Sequence, residues 1–228
     1  MTDFSDVKKI TIPQGEVAVL RDGQGRKIWQ RLPAGYTEVE YLASTGTQYI
    51  NTGYAFTAPD LAIECKYRKG NNLARNVFGV DTGGTSGRCM HGHIYNTSVY
   101  LGDRAVPDLT VPQSVGVDYT LRFSFSLART PKAVWTVNGT DYTYNSVNGW
   151  VGTSFADYLF ATNTQSTPTF LLTGRIYYYR MWNNTGTLVR DFVPAVRDSD
   201  SVAGMYDLVT KAFYTNSGTG TFVAGAEK

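Results

Sequence analysis

The chain of 228 residues is 42% apolar and 14% aromatic but only 18% charged, and its 21 Lys and Arg against 19 Asp and Glu leave a net charge of +2. Such a composition excludes a disordered chain, and the length supports one sizeable core without disulfides or metals. Only five Glu against 23 Gly argue against a helical bundle or a βαβ enzyme, and the scattered cations lack the stripe of a nucleic-acid binder.

In chain order, Lys9 to Ile12 and Glu16 to Leu20 read as strands, and Asp22-Gly23-Gln24-Gly25 as a turn into Lys27 to Gln30. Residues 1–31 are too few to bury a core of their own, so they are expected to form an N-terminal attachment segment docked on a larger body. Residues 32–36, Leu32-Pro33-Ala34-Gly35-Tyr36, read as a linker, and 37–228 as the main domain. The opening MTDFSDVKKI has no basic-then-apolar leader pattern, and no apolar run nears the roughly 18 residues of a membrane span, so a soluble chain without membrane insertion is expected.

From Thr37 onward, strand follows strand. Leu61 to Arg68 alternates apolar with polar residues, and in Tyr119 to Leu127 the residues Leu121, Phe123, Phe125 and Leu127 are expected on one core-facing side. Ala133 to Val137, Asn138-Gly139 and Thr140 to Tyr144 form the strongest hairpin signal, because Asn-Gly supplies both left-handed residues of a type I′ turn. Further strands are expected at Thr47 to Tyr54, Asn76 to Val80, His91 to Tyr95, Ser98 to Gly102, Tyr158 to Thr162, Arg175 to Trp182, Thr187 to Val193 and Met205 to Val209. Trp135 and Trp182, inside strands, are expected in the core. No stretch shows a capped 3.6-residue apolar period, so the expected fold is all-β: a two-sheet antiparallel sandwich.

Leu32 to Gly53, with Tyr36-Thr37-Glu38-Val39-Glu40-Tyr41-Leu42 and Gly46-Thr47-Gln48-Tyr49-Ile50-Asn51-Thr52-Gly53, resembles the opening of laminin-G-like, concanavalin A-like domains found in tailed phages, prophages and gut bacteria. Gly174-Arg175-Ile176-Tyr177, Leu188 to Ala195, Gly204-Met205-Tyr206-Asp207 and Gly218 to Phe222 resemble the closing half of that group in the same order. Residues 1–31 are similar to N-terminal pieces of phage tail proteins. The resemblance implies a non-catalytic jelly-roll module of a virion, made in the bacterial cytoplasm and displayed on the particle surface. Residues 1–31 would contact other virion proteins, and the module would be present in multiple copies or as a homo-oligomer. A bacterial surface adhesin and a divergent glycoside hydrolase are the alternatives.

The hydrolase reading would rest on Glu38 and Glu40, two carboxylates expected on one strand face. The concanavalin A-like catalytic strand reads Glu-x-Asp-x-x-Glu, whereas here Ala43 stands at the third acidic position, so no general acid is expected and the chain reads as no enzyme. Cys89, His91 and His93 recur every second residue, which in a strand places three potential metal ligands on one side. Gly83, Gly84, Gly87 and Gly92 favour a loop or edge strand there, so no metal is expected and His91 and His93 count instead as polar ligand-binding candidates. Laminin-G relatives bind calcium at one rim, and Asp81, Asp103, Asp108 and Asp157 sit in turn-like contexts that could serve. A glycan would stack on exposed aromatic rings, for which Trp150, flanked by Asn148-Gly149 and Val151-Gly152, and Tyr95 are the first candidates, with a near-neutral net charge arguing against capture of a polyanion. Cys65 and Cys89 read as buried thiols or as a disulfide pair.

Overall fold

The computed structural model describes residues 19–21, 23–25, 27–58, 60–73, 75–82, 89–95, 98–101, 113–145 and 152–228, and among these it contains strands and no helix. The strands run in chain order as β1 (Val19–Arg21), β2 (Lys27–Gln30), β3 (Tyr36–Glu38), β4 (Leu42–Thr45), β5 (Ile50–Asn51), β6 (Leu61–Lys69), β7 (Arg75–Asp81), β8 (Cys89–Tyr95), β9 (Ser98–Leu101) and β10 (Asp118–Phe125). They continue as β11 (Ala133–Val137), β12 (Thr140–Tyr144), β13 (Tyr158–Leu159), β14 (Thr162–Thr164), β15 (Thr167–Thr169), β16 (Thr173–Trp182), β17 (Leu188–Arg197), β18 (Val202–Asp207), β19 (Ala212–Tyr214) and β20 (Val223–Ala224).

A large sheet follows the order β12-β11-β10-β6-β16-β17-β18-β19, with β3 added to β17 and β4 bridging β16 and β20. A smaller sheet, β15-β14-β7-β13-β5 with β8 and β9 beyond β7, covers its inner face, and among the described residues β1 pairs with β2 alone. Period-two patterning drives this arrangement: Leu61, Ile63, Cys65 and Tyr67 of β6 point inward, and Ala62, Glu64, Lys66 and Arg68 point outward. Inward residues of both sheets meet in one core, where Trp135 stacks on Phe123 with ring centroids 3.7 Å apart and Phe78 meets Tyr179 at 5.3 Å. This is the two-sheet jelly-roll sandwich expected from the sequence. Cys65 is a buried free thiol.

The Asn-Gly hairpin forms as expected. Val137 pairs with Thr140, Asn138 and Gly139 have φ of 48° and 82°, and Asn138 Oδ1 accepts the Thr120 amide at 2.8 Å, fixing the tip to β10. Leu127 does not join the core row of β10: the strand ends at Phe125, Asp60 captures the Leu127 amide at 3.0 Å, and the side chain is 48% exposed.

The stretch read as a linker is packed onto the sandwich. Leu32, 4% exposed, joins Val193, Ala195 and Tyr206 in a second apolar cluster, and Tyr36–Glu38 pairs with β17. The expected strand at Lys9 to Ile12 lies outside the described residues.

Candidate functional site

On β16, the register of pairing with β6 shifts between Ile176 and Tyr178, and this bulge reverses the facing of every residue beyond it. Ile176, Tyr179 and Met181 are buried, while Arg175, Tyr177, Tyr178, Arg180 and Trp182 stay on the outer side, half-exposed. Trp182 therefore leaves the core to which its strand position had assigned it. Together with outward residues of β6 and β10, these side chains build a polar, aromatic face on the large sheet.

One part of it is a shallow hollow near the β4 end of β16. Tyr41 and Tyr177 meet edge to face at 5.7 Å, the Arg175 guanidinium lies 4.1 Å above the Tyr41 ring, and Lys66 Nζ lies 4.7 Å from the Tyr177 ring. Asp118 organises the floor. Tyr177 Oη donates to its Oδ1 at 2.7 Å, Arg68 Nε donates to the same oxygen, and Lys66 Nζ stands 3.3 Å from Oδ2. Burial alone would raise the Asp118 pKa, but these three donors outweigh it and hold the carboxyl down to about 2, so it is an anion at any physiological pH. Burial, and then the bond to that anion, raise the Tyr177 hydroxyl above its ordinary value, so Tyr177 remains a neutral donor. The hollow thus offers two apolar ring surfaces inside a ring of fixed donors, an arrangement suited to a molecule with apolar faces and a polar rim. Further along β16, Arg180 reaches Asp191 at 3.1 Å and Glu64 at 3.4 Å and lies 5.0 Å from the Tyr178 ring.

Trp150 is outside the described residues. His91, His93 and Tyr95 fall on β8, whose backbone pairs with both β7 and β9, but their side chains are likewise outside the described residues. Glu38 and Glu40 do not share a face: strand pairing of Val39 passes to Glu227, Glu38 is 3% exposed, and Glu40 is exposed. Arg31 and Lys228 both ion-pair with Glu38. Of the calcium candidates, Asp103 and Asp108 lie outside the described residues. Asp157 is fully buried and accepts from Tyr179 Oη at 2.6 Å, with burial pushing its pKa up to about 7. Among the described residues no three His, Cys, Asp or Glu side chains gather to hold a metal ion. The residues of the hollow come from β4's approach, β6, β10 and β16, and no local motif in the sequence joins them.

The fold defines the chain as a concanavalin A-like β-sandwich. A candidate carbohydrate-binding protein from Bacteroides ovatus superposes with a TM-score of 0.54, at 14% identity, over 83% of this chain and 62% of that one. The CBM40 of Ruminococcus gnavus IT-sialidase, bound to α2,3-sialyllactose, gives a TM-score of 0.49 at 16% identity over 63% of this chain and 90% of that one. Domains LG4-5 of the mouse laminin α1 chain give 0.45 at 12% identity over 78% of this chain and 48% of that one. No protein-family model and no curated protein matches the chain.

Proposed function

We propose that the chain is a non-catalytic, lectin-like module of a bacteriophage virion, carried on the tail or another surface appendage, and that its outer sheet face binds a host-surface glycan. The observation that carries the glycan reading is the Tyr41, Arg175 and Tyr177 cluster: two rings and a stacked guanidinium, half-exposed in one hollow beside the fixed Asp118 anion. A sugar ring stacks its C–H face on such rings and takes hydrogen bonds from the surrounding donors. The shared fold of the B. ovatus protein, described as carbohydrate-binding, supports the reading by analogy.

The virion assignment is supported by the opening and closing motifs at residues 32–53 and 174–222. Residues 1–31 would attach the sandwich to other virion proteins. The non-catalytic reading is supported by the ion-paired burial of Glu38 away from the exposed Glu40. Many copies on one particle would raise weak single-site binding by orders of magnitude.

The test is binding of multivalently displayed protein to a glycan array and to host cells, with Tyr177→Ala, Arg175→Ala and Trp150→Ala beside the wild type. Tyr177→Ala and Arg175→Ala should each weaken binding about tenfold. Equal binding by both variants would remove this face as the site, and binding lost only in Trp150→Ala would move the site there. Immunogold labelling of purified particles tests the virion assignment, which fails if the particles carry no label.

A further inference from the structure

We infer that the ligand is a linear acidic polysaccharide lying lengthwise along β16, held at its far end by a second subsite on Trp182. This rests on the glycan-binding reading above and names the class of glycan. The first observation is length. Trp182 stands five residues beyond Tyr177 on the same strand, about 15 Å away at the ordinary strand rise, so one sugar ring cannot span from ring to ring.

The second observation is the shape around Trp182. Its side chain lines two hollows at once, of about 420 and 400 Å3, one on the β17 side and one on the β6 and β10 side. It therefore forms a ridge open on both flanks, with Leu188 and Val209 as apolar walls on the β17 side. Segment 31–36, packed onto the outer face of β17 through Leu32, contributes Arg31 to that hollow, so the groove has a built side wall.

The third observation is charge. Among the residues lining these three hollows, Arg31 and Lys228 are neutralised by Glu38, and Arg180 by Asp191 and Glu64, so the positive excess is carried by Arg175 beside Tyr177 and by Arg122 and Lys211 around Trp182. The chain as a whole is only +2, because a net charge averages over the surface and conceals where the excess lies. Arg175 has no carboxylate partner among the described residues, and its guanidinium faces Tyr41 and Tyr177. Arg122 and Lys211 are exposed and flank Trp182. Repeated carboxylates on a linear sugar polymer would meet these cations while its rings stack on Tyr177 and Trp182.

The experiment is affinity electrophoresis of the full chain through gels containing polygalacturonate, alginate or polysialate, each beside its carboxyl-reduced neutral form and beside single-stranded DNA, at low and high salt. At least one acidic polymer should retain the protein about tenfold more strongly than its neutral form, with retention falling as salt rises. Trp182→Ala, checked for an unchanged melt, should lose about tenfold for the polymer yet compete normally for the free monosaccharide. Arg122→Ala and Lys211→Asn, which leave the core untouched, should flatten the salt dependence. Equal retention by neutral and acidic polymers overturns the acidic class while leaving glycan binding in place. Equal retention by single-stranded DNA, or no effect of Trp182→Ala on polymer, also overturns the inference. Retention by none of the polymers overturns it too, and the host-cell measurement then decides separately whether the parent reading survives.

Discussion

Tyr179 donates its hydroxyl hydrogen to Asp157 Oδ2 at 2.6 Å, linking β16 of the large sheet to the start of β13 in the small one through an apolar interior. Both residues are fully buried. Burial pushes the Asp157 pKa up to about 7, against the opposing pull of Tyr179 and the backbone of Gly79 and Tyr158. Between the ordinary carboxyl range near 4 and about 7, the folded chain holds a proton that the unfolded chain has released. Stability should therefore fall as pH rises through that window, by at most about 1.4 kcal/mol per pH unit, and level off above it. Urea unfolding across the window checks this: Asp157→Asn should flatten the slope, and an unchanged slope would remove Asp157 as its source. Tyr179→Phe should cost about 1–3 kcal/mol by stripping the carboxyl of its donor.

Glu38 gathers the two ends of the described sandwich. Arg31 Nε donates to Oε2 at 3.0 Å, Lys228 Nζ donates to Oε1 at 2.9 Å, and the Lys228 amide reaches the Glu38 carbonyl at 3.1 Å. Glu38→Ala should destabilise by about 3 kcal/mol, because the cations lose the buried anion that holds them. Arg31→Ala should cost less, about 1–2 kcal/mol, since Lys228 remains. Denaturant midpoints measure both, and a wild-type midpoint for Glu38→Ala would deny the clasp any structural role.

Removal of residues 1–30 should leave a cooperative melt, since Arg31, Leu32 and β3 remain to cover β17 and β18. Removal of residues 1–36 should lower the melting temperature markedly, because it strips Leu32 and Tyr36 from Val193, Ala195, Tyr206 and Phe213. Loss of Leu32 alone by Leu32→Ala should cost about 2–3 kcal/mol. Calorimetry of the two truncations separates the cases, and identical melts would show that segment 31–36 adds nothing to the fold.

Gly139→Val should destabilise by about 1–2 kcal/mol. Open space surrounds the added side chain, so the cost comes from holding a β-branched residue at φ of 82°. The variant's thermal midpoint should drop while glycan binding by the folded fraction is unchanged. A wild-type midpoint would mean that the hairpin tolerates a different turn.

Much of the fold is legible in the chain because strand burial is a local, period-two property. Leu61 to Tyr67, Leu121 to Phe125 and Ala133 to Val137 each present one apolar row, and the Asn138-Gly139 turn carries its own conformational signature. The misreadings arise where a strand departs from that period. Leu127 continues the apolar row of β10, but the strand stops two residues earlier. Trp182 continues the row set by Ile176, but the bulge before Tyr178 turns it to the outer face.

Composition, strand periodicity and turn chemistry by themselves determined an all-β sandwich with one aromatic core, since these depend on neighbours a few residues apart. Tertiary structure alone decided the site. Tyr41, Lys66, Asp118 and Arg175 lie far apart in the chain and meet only because β4, β6, β10 and β16 lie side by side in one sheet. The same pairing sets Arg68, Arg175 and Arg180 beside Glu64 and Asp118 on one face. A sum over the sequence carries no record of such placement, because charge acts through distance in space and not along the chain.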